Sequence, residues 1–151
     1  MKTFSTIQEI LEFAMTGEQE AVDLYTRLSN ESNIPEMKQV FMEFAREEMG
    51  HKARLMKIRD EGAMEHSGLK ITDMKISDYT TDVTPTPDMD YRDALLLAMN
   101  REKKAFKLYT RLAAEAPDQK LKDLFFSLAQ EEAKHKLRFE LEYDEYVLRD
   151  N

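Results

Sequence analysis

A chain of 151 residues with no cysteine and a net charge of -8 excludes several classes of protein at once. Disulfide scaffolds, zinc-thiolate sites and cysteine-held iron–sulfur centres all require thiols. Nucleic acid and anionic membrane surfaces require clustered Lys and Arg, not a surplus of acids. With 34% charged and 42% hydrophobic residues, and only four glycines and four prolines, the composition is that of a single helical domain, 1–151, large enough to bury a core without staples.

The opening MKTFSTIQEILEFAM is interrupted by Glu9 and Glu12, so it lacks the apolar core of a signal peptide. No window approaches the ~18 uncharged apolar residues of a membrane span. The absence of cysteine suits a reducing compartment, and a cytoplasmic location is expected.

Four amphipathic segments follow in chain order. The first covers about 6–29, with Ser5 and Gln8 at capping-box spacing, and its stripe is Ile7, Leu11, Ala14, Glu18, Ala21, Tyr25 and Leu28. The second covers 35–61, with Pro35 suited to a first turn and Gly62 to a stop. Its stripe runs through Phe41 and Phe44 to Glu48, His51, Leu55 and Ile58. The third begins near Pro87 with Thr86 as N-cap, and its stripe carries Leu95, Ala98, Glu102, Ala105 and Tyr109. The fourth covers about 118–148 after Pro117, with Phe125, Leu128, Glu132, His135 and Phe139 on its stripe. Steps of three and four throughout are the seam of a packed bundle.

Short loops join the first helix to the second and the third to the fourth, which makes each pair antiparallel neighbours. Between the pairs lie the 24 residues 63–86. A helix of 27 residues is roughly 40 Å long, and 24 extended residues reach roughly 80 Å at most. The segment can therefore run the length of the bundle and strap across its surface. The architecture expected is all-α: two helical hairpins joined by a long crossover.

The hairpins repeat one another, 1–62 onto 85–146, at a constant offset of 84. AMTGEQEAVDLYTRL (14–28) matches AMNREKKAFKLYTRL (98–112) at nine of fifteen positions, and FMEFAREEMGHKARL (41–55) matches FFSLAQEEAKHKLRF (125–139) at seven of fifteen. The offset pairs Glu18 with Glu102, Glu48 with Glu132 and His51 with His135, each on an apolar stripe where a leucine would be ordinary. Burying one unpaired carboxylate costs several kcal/mol, so four in one core call for compensation. Two divalent cations would balance four glutamates, with two neutral imidazoles completing the ligand set. Residues three apart share a helix face, so Glu48 with His51, and Glu132 with His135, can reach a common metal. One Glu from each of two helices plus Glu-x-x-His from each of the other two is the set of di-iron and di-manganese carboxylate bundles, and such donors suit iron or manganese.

On these residues the sequence resembles the rubrerythrin family of ferritin-like di-iron proteins. The resemblance covers both hairpins. It implies a ferritin-like four-helix bundle with two iron ions, manganese being the other candidate metal. Glu48 and Glu132 would bridge, Glu18 and Glu102 would be terminal ligands, and His51 and His135 would each hold one ion. It implies chemistry on H2O2 or O2, with ferroxidase action on Fe2+ and di-manganese catalase-like action as alternatives. Rubrerythrins usually carry a rubredoxin domain whose cysteines hold iron. None is present here, so an external redox donor protein is expected. Ala105 stands where the family has an additional glutamate, and its repeat partner is Ala21.

Tyr25 and Tyr109, two turns beyond the lone glutamates, are candidate catalytic residues near the metals, or else core aromatics with satisfied hydroxyls. Glu47 and Glu131 fall about 100° off the stripe and are read as surface acids, with a hydrogen bond to a ligand histidine as the other reading. His66 is read as an exposed loop residue. Gly17 and Gly50 flank Glu18 and His51 in one half only, and each costs about 1 kcal/mol against alanine in a helix. They open the site to a small molecule or allow close helix packing. A homodimer is expected, through Phe13, Leu24, Met42 and Phe126.

Overall fold

The computed structural model describes residues 3–81 and 85–150, so residues 82–84 of the expected strap lie outside it. Four helices dominate: α1, Ile7–Glu31; α2, Pro35–Glu61; α3, Tyr91–Glu115; and α4, Gln119–Asp150. Among the described residues, no helix is long and apolar enough to cross a membrane.

Local chemistry sets the ends. The α1 cap is Thr6, not Ser5: its hydroxyl accepts from Glu9 N at 3.0 Å, so the capping-box spacing is realised one residue later. At the end of α2, Gly62 takes the left-handed conformation, φ 65°, and Ala63 N reaches back to Ile58 O at 3.2 Å. The start of α3 is four residues later than Pro87. Pro87 disfavours a helical conformation at the residue before it, and Asp90 supplies the cap by accepting from Asp93 N at 2.8 Å. Asp118 caps α4 through Leu121 N at 2.9 Å.

Cross-helix pairs fix the topology. Ser29 bonds Lys38 O and Lys52 bonds Gln19, so α1 and α2 are antiparallel. Tyr91 bonds Glu142 and Lys122 bonds Ala114 O, so α3 and α4 are too. Arg101 of α3 reaches Glu20 of α1, and Tyr109 reaches Glu18, which sets these repeat partners antiparallel to one another. The halves are thus related by a local two-fold axis across the bundle.

The crossover leaves α2 beside the start of α1 and delivers α3 beside the end of α1, where Arg27 donates to Thr86 O and Met89 O. It therefore runs the length of the bundle. It buries Met64, Leu69, Met74 and Tyr79, every fifth residue, a spacing set by 3-10 turns at Ile71–Asp73 and Ile76–Asp78. Phe4 N bonds Met74 O at 3.3 Å and ties the N-terminal segment to this strap.

Two apolar clusters form the core, one around Leu11, Leu55, Leu112 and Phe125, the other around Leu28, Phe41, Leu95 and Phe139. The first takes in Phe13, whose ring packs edge-on against Phe4 at 5.2 Å, and the second takes in Leu24. Leu24 is buried in the protein's own interior, which removes it from the expected dimer interface, while Phe13 is only partly buried. Between the clusters lies a layer of charge.

Candidate metal centre

Glu18, Glu48, His51, Glu102, Glu132 and His135 are each no more than 3% exposed, so the acids on the stripes are not a solvated face. The helices bring them together in two groups whose ligand atoms lie within 4.8 Å of one another: Glu18, Glu48, His51 and Glu132, and Glu48, Glu102, Glu132 and His135. Glu48 and Glu132 belong to both. His51 Nδ1 is 2.9 Å from Glu132 Oε1, 3.5 Å from Glu18 Oε2 and 3.6 Å from Glu48 Oε2. His135 Nδ1 is 2.9 Å from Glu48 Oε1 and 3.5 Å from Glu102 Oε1. The two imidazoles are nearly parallel, 14° apart, with centroids at 6.4 Å.

Both histidines turn Nε2 away from the cluster and onto the opposite hairpin. His51 Nε2 meets Glu131 Oε2 at 2.6 Å, and His135 Nε2 meets Glu47 Oε2. Glu47 and Glu131 are therefore not merely surface acids, as the reading of the helical wheel had them. Each lies lateral on its own helix, and that side faces the neighbouring helix of the other half. The signal was available in the repeat: both acids survive the duplication while Met49 and Gly50 become Ala133 and Lys134. Tyr25 and Tyr109 also reach across, Tyr25 OH donating to Glu102 Oε1 and Tyr109 OH to Glu18 Oε1. His66 is exposed and stands apart.

The electrostatics are those of closely packed buried acids, which hold protons when no cation is bound. Burial raises the Glu48 carboxyl well above its usual range, and the Glu102 and Glu18 charges push it further. Burial and the Glu102, Glu48 and Glu18 charges do the same to Glu132. Burial would also raise Glu18, but its close polar contacts with Glu48 and His51 outweigh this and lower it. Burial alone would lower the His51 pKa; the Glu132 and Glu18 carboxylates overcome this and raise it to about 10. Burial and nearby carboxylates raise both tyrosines, which therefore stay protonated donors.

Among the described residues, five buried polar atoms in this layer have no well-directed hydrogen bond: Glu18 Oε2, Glu48 Oε2, His51 Nδ1, Glu102 Oε2 and Glu132 Oε1, although His51 Nδ1 and Glu132 Oε1 face each other as an ion pair. Orphaned buried polar atoms are rare and each needs a cause. Oxygen and imidazole donors converging from four helices supply one, since these residues fit two divalent ions.

The rubrerythrin family model matches residues 9–143. Two solved structures share the fold. One is a proposed ferritin-like diiron-carboxylate protein from Thermotoga maritima, 20% identical, with a TM-score of 0.77 over 97% of this chain and 99% of that one. The other is a hypothetical protein from Pyrococcus furiosus, 22% identical, with a TM-score of 0.72 over 93% of this chain and 89% of that one. At such identities the likeness speaks for the fold. No curated protein matches the sequence. The family match begins in the first turn of α1, runs well into α4 and takes in all six buried ligand groups: the chain belongs to the rubrerythrin family.

Proposed function

We propose that this protein is a di-iron oxidoreductase acting on H2O2 or O2, a rubrerythrin-like peroxidase served by an external electron donor. The observation that carries this reading is the paired, cross-braced ligand set with its orphaned atoms. Glu18, Glu48, His51 and Glu132 would hold one iron, and Glu48, Glu102, Glu132 and His135 the other. A bound di-iron centre supplies the electrons that, with two protons, take H2O2 to two waters.

The chain's own residues do the rest. Glu131 and Glu47 accept from Nε2–H, which leaves each Nδ1 lone pair facing the ligand atoms. Tyr25 and Tyr109 hold protons against Glu102 and Glu18 and fix the orientation of these carboxylates. The apolar clusters pack against the charged layer from above and below. The 151 residues hold no thiol, and in this reading the electrons come from an external redox donor protein. We place the protein in the cytoplasm as a homodimer, with Met42 and the exposed Phe126 at its interface.

Anaerobic titration of the metal-free protein with Fe2+, followed by one equivalent of H2O2, tests the reading. Two irons per chain and a rapid ferric absorbance support it. One iron per chain, or none held tightly, overturns it. A ferroxidase would instead turn over many Fe2+ per site, and a di-manganese catalase-like enzyme would disproportionate peroxide with no reductant added.

A further inference from the structure

Gly17 and Gly50 sit inside helices with no left-handed backbone to explain them, and a Cβ at either would meet nothing within 4 Å. Close helix packing is therefore not their purpose. Gly50 faces outward on α2. Gly17 instead lines a cavity of about 120 Å³ between α1, α3 and the crossover residues Tyr79, Thr80 and Thr81, which also touches Glu18, Glu48, Glu102, Glu132, Tyr25 and Tyr109. The cavity thus meets all four carboxylates of the metal centre. On the opposite face, between α2 and α4, the imidazoles close the centre, with Phe44 stacked on His135 at 4.0 Å and Glu131 and Glu47 behind the rings.

The repeat partner of Gly17 is Arg101, which also lines the cavity, so the two-fold is broken at this pair. Where one half has a guanidinium, the other has no side chain. Arg101 reaches from α3 to the Glu20 carboxylate of α1, and Glu20 is half exposed. The Arg101 Nε is buried and has no acceptor among the described residues. An ion pair with a half-exposed member is weakly held and opens readily.

We propose that this cavity is the route by which neutral, peroxide-sized oxygen species reach the metal centre, with Gly17 keeping it open and Arg101 acting as a movable bar whose free Nε–H positions the incoming oxygen. Its volume is ample for H2O2 or a few waters. Carboxylates along its inner wall disfavour anions. The proposal rests on the peroxide reading above and names how the oxidant arrives.

The test compares wild type with Gly17→Leu, Arg101→Ala and, as a control, Gly50→Leu. Three quantities are measured: iron bound per chain, xenon occupancy in crystals of the metal-free protein, and the rate at which the Fe2+-loaded protein reacts with H2O2 and with cumene hydroperoxide. Gly17→Leu is expected to bind two irons as wild type does, to lose the xenon site, and to react with H2O2 at least about tenfold more slowly. Gly50→Leu should match wild type throughout. Arg101→Ala should raise the rate with cumene hydroperoxide relative to H2O2, and this arm decides the matter if Gly17→Leu does not fold. Wild-type H2O2 rates in Gly17→Leu, or an unchanged preference in Arg101→Ala, overturn the route while leaving the di-iron reading intact. A wild type that binds two irons but ignores peroxide overturns the functional reading. Xenon then judges the cavity alone: a site lost in Gly17→Leu keeps the route, and no site ends it.

Discussion

His51 on α2 places its Nε2 2.6 Å from the Glu131 carboxylate of α4, and the offset of 84 turns that pair into His135 and Glu47. The acid beside each ligand glutamate therefore orients the other hairpin's histidine. Such partners typically contribute 10–100-fold to metal affinity, so Glu131→Ala and Glu47→Ala should each weaken binding by about that factor. Their side chains are 34% and 50% exposed, so stability of the metal-free protein should fall by less than about 1 kcal/mol. Chelator competition measures the first effect and urea denaturation the second. Unchanged affinity would show that the contact does not orient the ligand.

The central glutamates predict a trade between stability and binding. Replacing a buried, poorly compensated charge by an apolar group of similar size is often stabilising by about 1–4 kcal/mol. Glu48→Leu should therefore raise the melting temperature of the metal-free protein and abolish the two-metal stoichiometry, because Glu48 belongs to both ligand groups. Calorimetry with and without Fe2+ separates the two effects. A metal-free variant less stable than wild type would mean that the proton-sharing cluster is itself stabilising.

The pH dependence follows from the same groups. Glu48 and Glu132 have folded pKa values well above their ordinary 4.5, and His51 is raised from 6.5 to about 10. Each binds its proton more tightly in the folded state. Their contribution is complete below the unfolded pKa and is lost as pH rises through the folded one. Glu18 is lowered and runs the other way, contributing above 4.5 and losing that contribution only in acid. Between pH 6.5 and 10 the metal-free protein should therefore become steadily less stable to urea. Loading metal displaces these protons, so binding should release acid into a weakly buffered solution and tighten as pH rises. A urea midpoint that climbs over this range would contradict the shifts.

Tyr25→Phe and Tyr109→Phe each remove a donor from a buried carboxylate. Hydrogen bonds to charged groups are worth about 1.5–3 kcal/mol, so each change should lower metal-free stability by about that much. Two metals should still bind, since the six glutamate and histidine donors are left in place. Metal counting beside denaturation checks both parts, and loss of one metal would make the tyrosine part of the holding set.

Much of this was legible because periodicity and repetition reinforce each other. Pro35 and Gly62 bound α2 where the sequence places it, since a fixed φ at one end and a left-handed residue at the other leave little choice. The start of α3 was misplaced because several polar residues after Pro87 can cap, and only the accepting geometry of Asp90 decides. The strap's burial every five residues belongs to neither a strand nor an α-helix, so pattern reading could not assign it. The lateral acids were misread for a related reason: one helical wheel shows an inside and an outside but not which neighbour stands at its flank. Leu24, apolar beside the main stripe, shows that a stripe's margin belongs to the core when the next helix is close.

The crossover bears on how the centre comes into being. Each hairpin carries half of the ligands, while its tyrosine and lateral glutamate finish the other half. One hairpin alone can hold no completed site, and two separate copies would meet only at a rate set by their concentration. The segment from α2 to α3 makes that meeting intramolecular, at an effective concentration on the order of millimolar for a short tether. Formation of the site is thereby insulated from how much of the protein is present. A tethered pair is also free to diverge in one half at a time, and Gly17 opposite Arg101 is such a divergence.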